Sequence, residues 1–246
     1  MRFAVIADVH GNHLALEAVL ADISRQSIAD IVNLGDCFSG PLTAGKTADI
    51  LLAIDAVTVR GNHDRYLIEQ VPEAMHASDR AAHGELSDRH LEWLRSLPFS
   101  VVYKDEAYLC HATPRDDNVY WLETVSPDGH IHLKPIEEIE RLAEGIDFPL
   151  ILCGHSHIPR VVRLSDGRLI VNPGSVGCPA YDDDLPHYHK VEAGNPFACY
   201  VVMDKVDGLW MPTVRHVAYD HRAMADLAAE RGRKEWASGL ATGWLR

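Results

Sequence analysis

In Phe3-Ala-Val-Ile-Ala7-Asp8-Val9-His10-Gly11-Asn12 an apolar run passes straight into a polar cluster. A short run that stops in this way reads as a buried strand delivering side chains at its carboxyl end. The pattern recurs twice: Ile31-Val-Asn-Leu34 stops at Gly35-Asp36, and Val57-Thr-Val59 at Arg60-Gly61-Asn62-His63-Asp64. Between these runs, His13–Arg25 carries apolar residues near the helical period, and Thr43–Ile54 reads as a second helix with Thr43 as its cap. A β-α-β-α-β alternation implies parallel strands joined by crossover helices. Open sheets of this kind place their sites beyond the carboxyl ends of the strands, so topology brings three polar clusters to one edge.

Further along, Ser87–Leu97 reads as a helix, and Ser100–Tyr103 and Tyr108–Cys110 as strands. Residues 115–134 are irregular, with a hairpin expected to turn at Pro127-Asp128-Gly129. A helix follows over Pro135–Glu144, with proline in its first turn. Leu150-Ile-Leu-Cys153 is a buried strand ending at Gly154-His155-Ser156-His157, and Ser165-Asp-Gly-Arg168 links two strands of a hairpin. Tyr181–Asn195 reads as the most loop-like stretch, Cys199–Met203 and Pro212–Val217 as final strands, and Asp220–Glu230 as a last helix.

The chain has 246 residues, 47% of them hydrophobic, enough to bury one substantial core. We read residues 1–246 as a single domain. Residues 115–134, with Tyr120 and Trp121, are a candidate insert forming part of a substrate wall. The net charge of −13 argues against a grip on long nucleic acid or docking on an anionic membrane, because both need a basic face. A small phosphorylated partner stays compatible, since a bound metal inverts the local field. The N-terminus reads directly into a strand, so the expected location is the cytoplasm. The five cysteines are odd in number and widely spaced, and read as buried thiols rather than a disulfide or zinc framework.

Histidine spacing alone decides little. There are 15 histidines, and His-x-His, expected about once by chance, occurs at His130/His132, His155/His157 and His187/His189. Position is more selective. Only His155/His157 and the Asp-x-His pair Asp8/His10 follow an apolar strand directly. His130/His132 and His187/His189 are expected to be solvated, and Asp88/His90 to diverge on a helix. Asp8, His10, Asp36, Asn62, His63, His111, His155 and His157 remain, all at strand ends. Buried carboxylates and imidazoles are costly unless paired or metal-bound. These donor types, without a thiolate, suit Mn²⁺, Fe or Zn²⁺, and they are too many for one ion.

Asp8-Val-His10, Gly35-Asp36, Gly61-Asn62-His63-Asp64, His111 and Gly154-His-Ser-His157, taken in order, resemble the five motifs of the calcineurin-like metallophosphoesterase superfamily. Asn172-Pro-Gly-Ser175 is similar to its small prokaryotic phosphodiesterase branch. The resemblance implies an α/β fold, a four-layer αββα sandwich of two mixed β-sheets flanked by helices. It implies two divalent transition-metal ions, Mn²⁺ before Fe or Zn²⁺. Asp8, His10 and His157 would bind the first, Asn62, His111 and His155 the second, and Asp36 would bridge them. A hydroxide held between the metals would attack phosphorus, His63 would be the general acid, and Asp64 would orient its ring. The implied activity is a phosphodiesterase on small nucleotide-type substrates. A phosphomonoesterase and a non-catalytic scaffold on the same fold stand beside it. The loop Gly35-Asp-Cys-Phe-Ser-Gly40 lacks the Asp-Arg pair of the protein-phosphatase branch, so no phosphate-clamping arginine is expected there. Arg115 is the expected substrate contact instead.

Overall fold

Strand β1 (Arg2–Ile6) is buried from Phe3 onward. The computed structural model describes residues 1–246. Helix α1 (His13–Arg25), β2 (Ile31–Asn33), α2 (Ala44–Ala53) and β3 (Ala56–Thr58) follow, and β1, β2 and β3 pair in parallel. Thr43 precedes α2 without capping it: its hydroxyl donates to the Gly11 carbonyl at 3.2 Å and accepts from His13 Nδ1 at 2.6 Å. Helix α3 (Asn62–Glu69) starts inside the third polar cluster. A 3₁₀ turn (Pro72–Ala74), α4 (Ala77–His83) and α5 (Asp88–Ser96), capped by Ser87, complete the helical middle.

The second sheet begins with β4 (Ser100–Tyr103) and β5 (Ala107–Cys110). A small hairpin of β6 (Glu123–Val125) and β7 (Ile131–Leu133) turns around Pro127-Asp128-Gly129, as expected. Then come α6 (Ile136–Leu142), β8 (Leu150–Leu152), β9 (Arg160–Arg163) and β10 (Leu169–Asn172). After them stand β11 (Ala180–Asp183), β12 (His189–Glu192), β13 (Ala198–Val206), β14 (Leu209–Val217), α7 (His221–Glu230) and α8 (Lys234–Thr242). The two large sheets are ordered β14-β13-β1-β2-β3 and β4-β5-β8-β10-β9, and both are mixed.

Side-chain alternation explains the layers. Phe3 and Val5 of β1 point between the sheets, where they meet Leu109, Leu150, Leu152 and Val171. Ala4 and Ile6 point the other way, into Leu16, Val19 and Ile23 of α1. The outer face of the second sheet packs Ile151 and Ile170 against Ile139 of α6. This is the helix–sheet–sheet–helix sandwich. Strands covered on both faces read as unbroken apolar runs, which is why they were visible in the sequence. No helix is long and apolar enough to cross a membrane.

Besides the Thr43 cap, three expectations are corrected. Residues 181–195 are not a loop: Ala180–Asp183 pairs with His189–Glu192 in register. His189 is buried rather than solvated, because β12 turns it inward onto Tyr120. The aromatic pair of the 115–134 segment divides. Trp121 is core and donates to the Ile139 carbonyl, while Tyr120 faces the centre described next. Helix α8 was not expected at all.

Candidate metal centre

The strand ends bring together two groups of donors. Asp8, His10 and His157 form one, and Asp36, His111 and His155 the other; within each, the ligand atoms lie within 4.8 Å of one another. Asn62 joins the second group, with its Oδ1 3.0 Å from His111 Nε2. All the residues read from the sequence as ligands are therefore in one place.

The backbone is strained to achieve this. Asp8, His10, Asp36, His155 and His157 have φ of 55°, 49°, 54°, 70° and 58°. Non-glycine residues rarely hold such left-handed angles, at a cost of roughly 1–2 kcal/mol each. Of nine such residues in the chain, five are here, so the strain is concentrated at the site. Gly61 permits the close approach of the loops: a Cβ there would stand 2.1 Å from Asp36 Oδ1.

Hydrogen bonds set the histidine tautomers. Nδ1 of His10, His111 and His157 donates to the carbonyls of Ser39 (2.8 Å), Leu34 (2.8 Å) and Cys178 (2.9 Å). Each Nε2 is left with its lone pair, the form that binds a metal. Two of these lone pairs face each other, His10 Nε2 and His157 Nε2 at 3.1 Å. Asp8 Oδ1, buried and without a hydrogen-bond partner, lies 3.7 Å from His157 Nε2. In the second group, His111 Nε2 faces Asn62 Oδ1 and, at 3.3 Å, Asp36 Oδ2. Electron-pair donors so close together need a cation among them, and this donor set fits divalent transition metals.

The charge balance agrees. Burial pushes His10 down to about 4 and His155 to about 3, keeping both rings neutral. Burial also raises the Asp8 carboxyl well above the carboxylate range. Burial opposes ionisation of Asp36 too, but His63 and His111, whose ring Asp36 pushes up to about 10 until a cation takes the place of its Nε2 proton, outweigh burial and hold that carboxyl well below the usual range. Asp36 Oδ2 lies 3.9 Å from His10 Nε2 and 3.3 Å from His111 Nε2, between the two groups.

His63 stands beside them, its ring centroid 5.6 Å from that of His10. Its backbone N–H donates to Asp36 Oδ1 at 3.0 Å, and its Nδ1 to Asp79 Oδ1 at 2.8 Å. Burial works against a proton on His63, but Asp36 and the Asp79 hydrogen bond push it up to about 9.

The orienting carboxylate is thus Asp79, not Asp64. Asp64 accepts from the backbone N–H groups of Asp36 (2.9 Å), Cys37 (2.9 Å) and Gly61 (3.0 Å), so it clamps two strand-end loops together. On a helix the side chain after His63 turns away from it, which is why the neighbour in sequence is the wrong one. Asp79 lies on α4, with no local pattern to mark it.

Arg115 is exposed and makes no hydrogen bond or ion pair, and nothing in the structure carries it to the donors. Arg65 holds the buried Asp117 through two hydrogen bonds, at 2.8 and 2.7 Å. Cys37 is a packed thiol accepting from Asn33 Nδ2 at 3.3 Å. Of the aromatic rim, the sequence pointed to Tyr120 but not to Tyr181 or His189. Tyr120 lies 5.0 Å from the His155 ring and Tyr181 4.6 Å from the His157 ring. His189 Nδ1 donates to the His187 carbonyl, so its Nε2 accepts from the Tyr120 hydroxyl at 2.9 Å. Tyr120 in turn takes the Tyr181 hydroxyl at 2.6 Å.

The sequence model of the calcineurin-like phosphoesterase superfamily domain matches residues 1–194. An uncharacterized protein of Methanocaldococcus jannaschii is 25% identical over 259 residues, covering 95% of this chain and 94% of that protein. Among solved structures, a metallophosphoesterase from Sphaerobacter thermophilus superposes with a TM-score of 0.76 at 26% identity, covering 99% of this chain and 100% of that one. A hypothetical protein from Pyrococcus horikoshii OT3 reaches 0.75 at 18% identity, covering 100% and 99%, a likeness of fold.

Proposed function

The chain belongs to the calcineurin-like phosphoesterase superfamily, and on that premise we propose that it is a two-metal phosphodiesterase acting on small nucleotide-type substrates. One observation carries this reading: two cation-seeking donor groups share Asp36, whose Oδ2 lies between His10 Nε2 and His111 Nε2. Asp8, His10 and His157 would hold the first ion, Asn62, His111 and His155 the second, with Asp36 shared by both. The donor set suits Mn²⁺, Fe or Zn²⁺, and the family resemblance puts Mn²⁺ first. When bound, such a pair activates water and neutralises charge on the phosphoryl oxygens.

The protein's own part is to place and move a proton. Asp79 holds His63 Nδ1–H, so Nε2 carries the proton that passes to the leaving-group oxygen as the phosphorus–oxygen bond breaks. The His63 side chain is 30% exposed, enough to reach a substrate. The Asn172–Ser175 turn braces the site. Ser175 Oγ donates to the Asp8 carbonyl at 2.7 Å, and Asn172 Nδ2 to the Gly154 carbonyl at 2.7 Å. The missing Asp-Arg pair after Asp36 favours diesters over protein phosphomonoesters.

The test is metal analysis with hydrolysis of bis- and mono-p-nitrophenyl phosphate in Mn²⁺, beside Asp36→Asn. Two metal equivalents and a diester preference are expected in the wild type, with both metals and at least roughly 10³-fold of turnover lost in the variant. A monoester preference would move the reading to a phosphomonoesterase. Full metal content without turnover would make the protein a scaffold.

A further inference from the structure

We infer that the substrate's leaving group is a nucleotide whose anionic group is bound by Arg233 beside Trp236. This rests on the phosphoesterase reading above. Both residues belong to the α7–α8 segment, beyond the residues that the family model matches.

Helix α8 is seated firmly. Gly239 lies so close to Ala180 that a Cβ would stand 3.1 Å from its carbonyl oxygen. That contact brings the half-buried Trp236 over the first donor group, its ring centroid 6.1 Å from His10. A Cβ on Gly40 would stand 3.1 Å from the indole edge. Arg233, the residue just before the helix, donates from Nη2 to Ser78 Oγ at 3.0 Å. Ser78 precedes Asp79, the carboxylate on His63. The Ser78 carbonyl also accepts from the Gly40 N–H at 3.3 Å, and Gly40 lies against Trp236, so Arg233 and Trp236 meet the same loop on the side of His10 where His63 stands.

Arg65 gives two hydrogen bonds to Asp117, and Arg160 pairs with Glu123 through Nε at 2.8 Å. Arg233 uses Nε on Glu235 at 2.5 Å and Nη2 on Ser78, while Nη1 makes no hydrogen bond to the protein. Its side chain is 23% exposed. A guanidinium with unused donors recognises a phosphate through paired N–H groups. The indole adds a planar apolar face suited to a base. An anion next to a planar ring is the description of a nucleotide.

The test uses the metal-loaded wild type, Arg233→Ala, and Arg233→Gln, which keeps the side-chain length and a donor for Ser78. Calorimetric titration with AMP and adenosine is run with metal content measured in each sample. The wild type is expected to prefer AMP, and both variants to lose at least tenfold in AMP affinity with metal content unchanged. Turnover is then compared on bis-p-nitrophenyl phosphate, whose leaving group lacks a phosphate, and diadenosine diphosphate, whose leaving group is AMP. The variants are expected to lose tenfold or more in kcat/KM on the second, through KM, and less than twofold on the first. Equal AMP affinity in wild type and Arg233→Gln overturns the inference. So does an equal loss on both substrates, which would mark Arg233 as a tie for α8. A wild type that turns over neither ester removes the phosphoesterase reading, and the AMP titration still decides the role of Arg233.

Discussion

Asp8, His10, Asp36, His155 and His157 hold left-handed backbone angles, while Tyr120, Tyr181, His189, Arg233 and Trp236 around them do not. The centre is fixed by strained loops locked between strands. Asp64, for example, binds three backbone N–H groups of two loops at once. The rim is fixed by side-chain hydrogen bonds and ring contacts between segments distant in the chain, such as Tyr120 with Tyr181 and His189. Strain persists only where the surroundings over-determine it, so the centre cannot give up one member without disturbing the rest. A rim contact can be lost singly, because each side chain rests on an unstrained backbone.

Asp36→Asn, already described, sets the upper end of that contrast. His63→Ala comes next. Both metals should remain and turnover should fall roughly 10²–10⁴-fold, most with poor leaving groups. Metal analysis beside rates on leaving groups of graded pKa checks this, and a loss independent of leaving group would remove His63 from the acid role. Asp79→Asn should cost about 10–100-fold with metals kept, as expected for a group that positions another. Asp79→Asn and His63→Ala combined should be no worse than His63→Ala alone. At the rim, Tyr181→Phe removes one hydrogen bond and should destabilise by about 1 kcal/mol in denaturant titration, with full metal content. Loss of metal in that variant would erase the distinction between rim and centre.

The smallest effect lies far from both. Asp22 is pulled down to about 2 by hydrogen bonds from Arg215, against a burial penalty, with further help from Tyr200. Its folded value is below the unfolded one, near 3.9, so its contribution is complete above about pH 4 and fades as pH falls toward 2. Asp22→Asn should therefore be less stable than wild type at pH 7, on the order of 1 kcal/mol, with the gap closing in acid. A gap constant from pH 7 to pH 2.5 would show that the carboxylate charge is not what matters there.

The same contrast explains what could be read from the sequence. Each donor of the centre closely follows a short apolar run, buried on both faces in β1 and β8, so β1, β2, β3, β5 and β8 announced both the sandwich and its site. The rim carries no such pattern. In β11–β12 Asp182, Asp183 and Lys190 are exposed, and only packing makes a hairpin of it. Trp236 and Arg233 lie more than 220 residues from His10, beyond the reach of any local spacing. Asp64 was misread for the opposite reason: adjacency in sequence suggested a contact that the geometry of α3 forbids. Asp79 was missed because its partner His63 lies on another helix.

Strand β1 pairs with β2 on one side and with β13, antiparallel, on the other. Val5 meets Val32 on the first side and Val201 on the second. As the chain leaves the ribosome, β2 arrives almost at once, whereas β13 does not yet exist. At roughly 5–20 residues per second, the delay between Ile6 and Ala198 is roughly 10–40 s. Through that interval the most apolar strand of the first sheet has an open edge, available to any passing strand. The Ser175 hydroxyl that ties down the Asp8 carbonyl arrives only shortly before β13. Slower translation of residues 30–200 therefore lengthens the period of exposure to mispairing while leaving the finished protein unchanged.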